Sequence, residues 1–436
     1  MNPKEFKRRR RDLMRMMGKG GIAILPSAPT RLRNRDVGYA YRQDSDFYYL
    51  TGLAESESVT VLIPGRAAGE CLIFCQPADF EKEIWDGKRV SPLAAKRDYG
   101  ADQAFSIDLI DDQLPDLIQQ CERIYYTMGV HPEFDKRLIN WVADIRQRSR
   151  GGVHAPDEII ALDHILHDLR LYKSRSEISA MRKSAKIAIK AHERAIQRCK
   201  PGMHEYELEA EYIYEFRKHG VDCSYQPIVG GGSNACILHY VDNNQLLVDG
   251  DLVLADVGCE YNYYASDVTR TWPINGKFSI PQRELYEIVL EAHDAAIEKV
   301  QPGNHWNDPH DAALRVISKG LLNLGLLKGK LQSVIKSEAY REFFMHRTGH
   351  WLGMDVHDVG DYKVSDQWRL LEPGMILTVE PGIYVRSKSK APARFRNIGI
   401  RIEDDVLVTK QGHDVLTAGL VTNPDELESL IGSLSI

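Results

Sequence analysis

The 436-residue chain exceeds the roughly 250 to 300 residues at which a single hydrophobic core stops growing, so two domains are expected. Hydrophobic residues at 43% and charged residues at 27% fit a globular enzyme, and a formal charge of −6 over this length argues against a nucleic-acid or membrane partner. Seven cysteines, an odd number without a CxxC pair, argue against a disulfide framework or thiolate zinc site and fit a reducing, cytoplasmic setting.

Asn2, Pro3 and Glu5 read as N-cap, first turn and capping-box partner of an opening helix. Its basic run, Lys7 to Arg11, is expected to be a solvated face rather than a targeting presequence, because Glu5 and Asp12 flank it and serines are missing. From residue 20 to about 165, β-like runs (Gly21–Leu25, Val59–Ile63, Cys71–Phe74, Arg123–Tyr126) mix with helical stretches, predicting an α/β layer structure. No apolar run reaches the roughly 18 residues of a membrane span. Nor does this half contain a cluster of metal-binding or nucleophilic residues. A Gly/Pro-bearing stretch at 149–156 precedes a short segment with helical periodicity, and the boundary is placed there, giving domains 1–168 and 169–436. Ser174 with Glu177 then forms a capping box for a long amphipathic helix, with Ile178, Met181, Ala185, Ile189, His192, Ile196 and Cys199 on one stripe.

The second half carries a faint duplication. Residues 191–202, AHERAIQRCKPG, match residues 292–303, AHDAAIEKVQPG, at half their positions, and each copy runs from a helix into a Pro-Gly turn. Likewise DGDLVLADVG at 249–258 echoes PGMILTVEPG at 373–382, so that Gly250, Asp256 and Gly258 correspond to Gly374, Glu380 and Gly382. Two α/β halves facing across a pseudo-twofold axis would bring Asp256 and Glu380 together at its centre.

Asp256, Asp267, Glu380 and Glu403 all lie in strand-like, otherwise apolar contexts. A buried, unpaired carboxylate is costly enough that it neutralises, finds a cation or binds a metal. Any one of them is more often a turn former or salt-bridge partner, and a lone His239 or His357 is more often simply hydrogen-bonded. Four acids in one domain, with one imidazole at His350 between flexible glycines, favour metal binding. Paired strands could bring Asp256 and Asp267 to one point, and Arg401 and Glu403 share a strand face. An oxygen-rich set with a single nitrogen suits Mn, Co, Fe or Zn pairs in hydrolases.

The segments Ile237-Leu-His239-Tyr, Asp249-Gly-Asp-Leu-Val-Leu-Ala-Asp256-Val-Gly, Asp267-Val-Thr-Arg-Thr, His350-Trp-Leu-Gly-Met-Asp-Val-His357, Leu371 through Tyr384, and Gly399-Ile-Arg401-Ile-Glu403-Asp-Asp resemble the pita-bread metallopeptidases of the aminopeptidase P type. Tyr41 through Gly52 resembles the same family's N-terminal non-catalytic domain. The resemblance implies a mixed-sheet N-terminal domain followed by a pita-bread domain with pseudo-twofold symmetry. It implies release of the N-terminal residue from peptides with proline second, by a hydroxide held on two divalent ions, normally Mn(II). By motif the metal ligands are Asp256, Asp267, His350, Glu380 and Glu403, with Glu380 also moving the proton. His239, His357 and Arg401 join Glu380 as catalytic groups, and Tyr225, Trp85, His346 and Tyr384 line the substrate region. Arg347 and Thr348 depart from the small or apolar residues expected between His346 and His350. A homodimer or homotetramer is implied. The alternatives are a prolidase restricted to Xaa-Pro dipeptides, a metal-free creatinase-like hydrolase, which the full ligand set disfavours, and a non-catalytic pita-bread binding protein.

Overall fold

A computed structural model describes residues 2–431. The chain divides after Leu169 into two compact units. The first is built on a six-stranded mixed sheet, with strands in the order 103–106, 71–75, 59–62, 21–26, 123–125 and 158–160. Strand 21–26 pairs antiparallel with 59–62 and parallel with 123–125, so neither hairpins nor crossovers account for it alone. Ile22, Ile24, Val61, Leu72 and Phe74 project from it into one core with Leu114, Leu138 and Ile145 of the helices Ile110–Ile118 and Pro132–Gln147.

The opening helix, Pro3–Met17, starts as its sequence dictates: the Asn2 side chain accepts from the Lys4 amide, and Pro3 sits at the first position. Its basic run is a solvated face only in part: Lys7 and Arg11 are exposed, but the two residues between Arg8 and Arg11 turn inward. Arg9 and Arg10 are only 1% and 3% exposed. Arg9 Nη1 donates to Tyr49 O at 3.0 Å and Arg10 Nη1 to Leu50 O at 2.8 Å, both carbonyls in the last turn of the helix Ser45–Thr51. Helix C-termini leave such carbonyls unpaired, and guanidinium groups satisfy them while opposing the negative end of the helix dipole. Arg10 Nη2 also reaches Tyr99 O and Gly100 O beyond the helix Pro92–Asp98. The arginines are internal caps, which charge patterning along one helix cannot reveal.

The second unit pairs helix Arg175–Arg198 with Glu205–Lys218, and helix Ile280–Ile297 with Asp308–Asn323. Ser174 and Glu177 form the expected capping box at the start of the first of these. Three-stranded antiparallel sheets stand in each half, one from 228–231, 252–256 and 269–273, the other from 376–379, 404–409 and 412–415. Strands 382–385 and 398–401 form a further hairpin.

The duplicated segments hold matching places. Ala191, Ala195 and Cys199 of one copy, and Ala292, Ala296 and Val300 of the other, are all buried in the same core. Their shared histidines lie beneath the strands. His192 Nε2 is 3.0 Å from Val257 O, next to Asp256, and His293 Nε2 is 3.0 Å from Asp404 Oδ2, next to Glu403. Since a carbonyl only accepts, His192 carries its proton on Nε2, and Tyr212 Oη donates to Nδ1 at 3.0 Å. Burial pushes His192 down to about 3, so it stays neutral.

Candidate metal centre

Each half delivers its acids from the ends of strands. Asp256 closes strand 252–256, whose partner across the ladder is Thr269, and the ladder continues through Val257 N to Val268 O at 3.0 Å. That pairing carries Asp267 alongside Asp256. The chain between them folds back through a small hairpin, Cys259–Tyr261 with Tyr264–Ala265. Asn262 and Tyr263 both take positive φ at its tip, as a two-residue type I′ turn requires. Gly258 is obligatory here: a Cβ would lie 1.8 Å from Ser266 O.

In the other half, Val379 pairs with Asp404, so Glu380 and Glu403 follow side by side off that ladder. His350 comes from a segment lying along strand 376–379. Thr378 N donates to His350 O at 2.9 Å, Glu380 N to Thr348 O at 2.8 Å, and Trp351 bridges Leu377. Backbones approach so closely there that a Cβ on Gly349 would sit 2.0 Å from Thr378 O.

The five side chains converge on one cleft of about 240 Å³. His350 Nε2 lies 3.3 Å from Asp267 Oδ2 and 3.6 Å from Glu380 Oε1. Ligand atoms of Asp267, His350 and Glu403 all fall within 4.8 Å of one another. The Tyr225 hydroxyl is 2.6 Å from Asp256 Oδ1 and 2.6 Å from Asp267 Oδ1. A phenol has one proton, so it cannot donate to both carboxylates at once.

Charge tells the same story. Burial pushes Glu403 well above the usual carboxylate range, with Asp267, Glu380 and Asp256 adding repulsion. Burial likewise raises Glu380 to about 7 against the opposing pull of His350 and Arg401, and it raises Asp256 despite Arg401. Asp267 goes the other way: burial opposes ionisation, but the hydrogen bond and charge of His350 hold it low. Burial alone would depress His350, yet Asp267 and Glu380 lift it to about 9. Three buried acids and the partly exposed Glu380 share the cleft with Arg401, whose Nη2 donates to Asp256 Oδ2 at 2.6 Å. This donor set, rich in oxygen and short of positive charge, fits divalent cations.

The remaining residues singled out from the sequence lie at different depths. His239 and His357 line the cleft, and His357 packs edge-on against His350 with ring centres 4.3 Å apart. Burial, and His350 beside it, push His357 down. His346 lines the cleft too, but both ring nitrogens are engaged, Nε2 with Tyr384 Oη at 2.9 Å and Nδ1 with Arg347 O at 2.7 Å. Tyr384 is fully buried and reaches the site through Arg401 Nη1 at 2.9 Å and His346. Trp85 lies on the helix Phe80–Asp86 of the first unit, 87% exposed. The unexpected pair Arg347 and Thr348 is well accommodated. Thr348 Oγ1 is 2.8 Å from His310 Nδ1, and the Arg347 guanidinium bonds Asn307 and lies over the Trp368 ring.

Sequence reasoning passed over Thr269. Its hydroxyl donates to Glu403 Oε2 at 2.6 Å and accepts from Arg401 Nε at 3.1 Å, tying the first half to both an acid and the cation of the second. Arg270 was missed as well: buried, it donates to Glu403 O at 2.6 Å and Asp404 Oδ1 at 2.8 Å. An arginine in an otherwise apolar strand between two threonines was the available signal.

Residues 179–410 match metallopeptidase family M24, and residues 6–125 match the aminopeptidase P N-terminal domain. The chain belongs to family M24. Among M24 relatives, the Xaa-Pro aminopeptidase of Escherichia coli strain K12 is 43% identical over 429 residues, covering 98% of this chain and 97% of that one. The structure of Pseudomonas aeruginosa aminopeptidase PepP superposes with a TM-score of 0.97 at 53% identity, covering 99% of this chain and 98% of that one. E. coli aminopeptidase P with the inhibitor Pro-Leu gives a TM-score of 0.96 at 43% identity, covering 99% and 98%. The two α/β halves of residues 170–436 are thus the pita-bread arrangement of M24, and the mixed sheet belongs to an aminopeptidase P N-terminal domain.

Proposed function

We propose that this chain is an Xaa-Pro aminopeptidase in which Asp256, Asp267, His350, Glu380 and Glu403 hold two divalent metal ions. The observation that carries the reading is the convergence of two strand-end acids from each half, with His350, on a single cleft. Likeness to the E. coli Xaa-Pro aminopeptidase over 98% of the chain supports the substrate class. When bound, such an ion pair polarises the scissile carbonyl and acidifies a water molecule.

The protein's own groups do the rest. Glu380, raised to about 7 by burial, is suited to accept the proton of the attacking water at a carboxylate oxygen and to return it to the departing proline nitrogen. That nitrogen carries no hydrogen in the peptide, so the leaving group cannot depart as an amine without this delivery. His357 lines the cleft, where its imidazole can donate to the developing oxyanion. Arg401, fixed by Asp256, Thr269 and Tyr384, orients the acids and offsets part of their charge. His239 stands exposed at the rim, where the peptide passes. Manganese as the ion and association into dimers or tetramers follow from the resemblance, a cytoplasmic setting from the free cysteines, and the catalytic role of residues 169–436 from the acids they carry.

The deciding experiment is hydrolysis of an Xaa-Pro-Xaa tripeptide beside an Xaa-Pro dipeptide with added Mn(II), alongside metal analysis of the purified protein. Turnover of the tripeptide with about two metals per chain is expected. Cleavage of the dipeptide alone would make it a prolidase, and silence on both with any divalent metal would make it a binding protein.

A further inference from the structure

A second cavity, of about 500 Å³, adjoins the cleft, and Leu238 lines both. Its walls are Ser233, Cys236, Ile237 and Leu238 on one side and Arg386 and Ser387 on the other. The first wall is the short turn Gly232–Cys236 and the residues after it, seated so tightly on the hairpin strand 398–401 that a Cβ on Gly399 would meet Ala235 O at 2.2 Å. The second wall is where strand 382–385 of that hairpin ends. His239, at the cleft rim, directly follows Leu238, so a peptide leaving the cleft past His239 needs only one or two residues, at roughly 3.3 Å each, to enter this cavity.

Its charge is one-sided. No acid lines it, and Arg386 is its sole charged group. Burial pushes the Cys236 thiol up to about 12 even beside Arg386, so the thiol supplies no counter-charge. Arg386 opens the hairpin loop 386–397, RSKSKAPARFRN, which contains five cationic residues and no acidic one in a chain whose overall formal charge is −6. Arg394 lies 3.7 Å from Glu284, and Ser389 bonds Glu342. Among the described residues, Arg386, Lys388 and Lys390 have no carboxylate within salt-bridge distance.

We infer that this cavity receives the part of the peptide that follows proline, and that Arg386 selects there for a carboxylate. The inference rests on the Xaa-Pro aminopeptidase reading of the adjoining cleft. Two sources present the same chemistry: the free α-carboxylate of a tripeptide, and an Asp or Glu side chain in the third or fourth position of a longer peptide. A guanidinium is suited to either because its planar donors match a carboxylate in pairs. The flanking Lys388 and Lys390 add a positive field that favours acidic peptides generally.

The test compares kcat/KM for Xaa-Pro-Leu with its C-terminal amide, and for Xaa-Pro-Leu-Glu amide with Xaa-Pro-Leu-Gln amide, in the wild type, Arg386→Gln and Arg386→Glu. The wild type should prefer the carboxylate of at least one pair by about three- to tenfold, the range of a partly solvated ion pair. Arg386→Gln should bring that ratio near one, and Arg386→Glu should invert it. The responding pair identifies the source. Calorimetric binding of Pro-Leu against Pro-Leu amide, and of Pro-Leu-Glu amide against Pro-Leu-Gln amide, reads the same site without turnover, with the carboxylate form favoured in the pair that responds in the kinetics. Ratios of one in the wild type, or a preference that survives Arg386→Gln, overturn the inference. Absence of turnover on every peptide would instead sink the peptidase reading, leaving the calorimetric comparison to judge the cavity.

Discussion

Glu380 and Tyr225 separate two demands on the site, proton transfer and ion retention. Glu380→Gln keeps a ligand oxygen but loses the basic one, so kcat on an Xaa-Pro-Xaa peptide should fall by about 10² to 10⁴ while metal analysis still finds bound ion. Near-normal turnover would remove Glu380 from its role. Tyr225→Phe deletes the hydroxyl that touches both Asp256 and Asp267, and calorimetric titration should find the metal bound about 10- to 100-fold more weakly. An unchanged affinity would mean the phenol only fills space. His310 offers a pH test away from the ligands. Burial, with Arg347 and Arg341 nearby, pushes it from its ordinary 6.5 down to about 4, so between those values the unfolded chain holds a proton that the folded one does not. Its contribution is therefore complete above pH 6.5 and is lost by up to about 1.4 kcal/mol per pH unit as the pH falls toward 4. Urea denaturation at pH 7.5 and 5.5 should show His310→Asn losing less stability on acidification than the wild type; equal losses would exclude the effect.

At the level of elements, what could be read from the sequence was what local pattern encodes. The Ser174–Glu177 cap, the buried alanine stripes of the duplicated helices and the fully buried strand Leu252–Asp256 follow from periodicity and composition. The acids were legible because a carboxylate at the end of an apolar strand has few tolerable fates. Arg9, Arg10, Thr269 and Arg270 were not, since each finds its partner through chain folding rather than along its own segment. Gly349 marks where such long-range demands reach the backbone. Gly349→Ala forces a methyl against Thr378 O, which should separate the His350 segment from strand 376–379 and lower stability by about 1 to 3 kcal/mol. Equilibrium unfolding measures this, and a variant as stable as the wild type would show that the two backbones can part at no cost.

For the whole molecule, the division after Leu169 gives ligand binding a regional signature. Saturating Mn(II) at about 100 times its dissociation constant should stabilise the unit that binds it by about 2.7 kcal/mol. Hydrogen exchange should slow across strands 252–256, 269–273, 376–379 and 404–409 while leaving the sheet of residues 21–160 unaltered. Slowing spread evenly over both units would mean that they open as one. The site also has a schedule. Asp256 and Asp267 emerge from the ribosome first, His350 next, and Glu380 and Glu403 last, so for a time the nascent chain carries two of the five groups with nothing to complete them. On the proposed ligand set, a chain broken off before Glu403 would lack one acid of the centre and should leave no stray hydrolase behind.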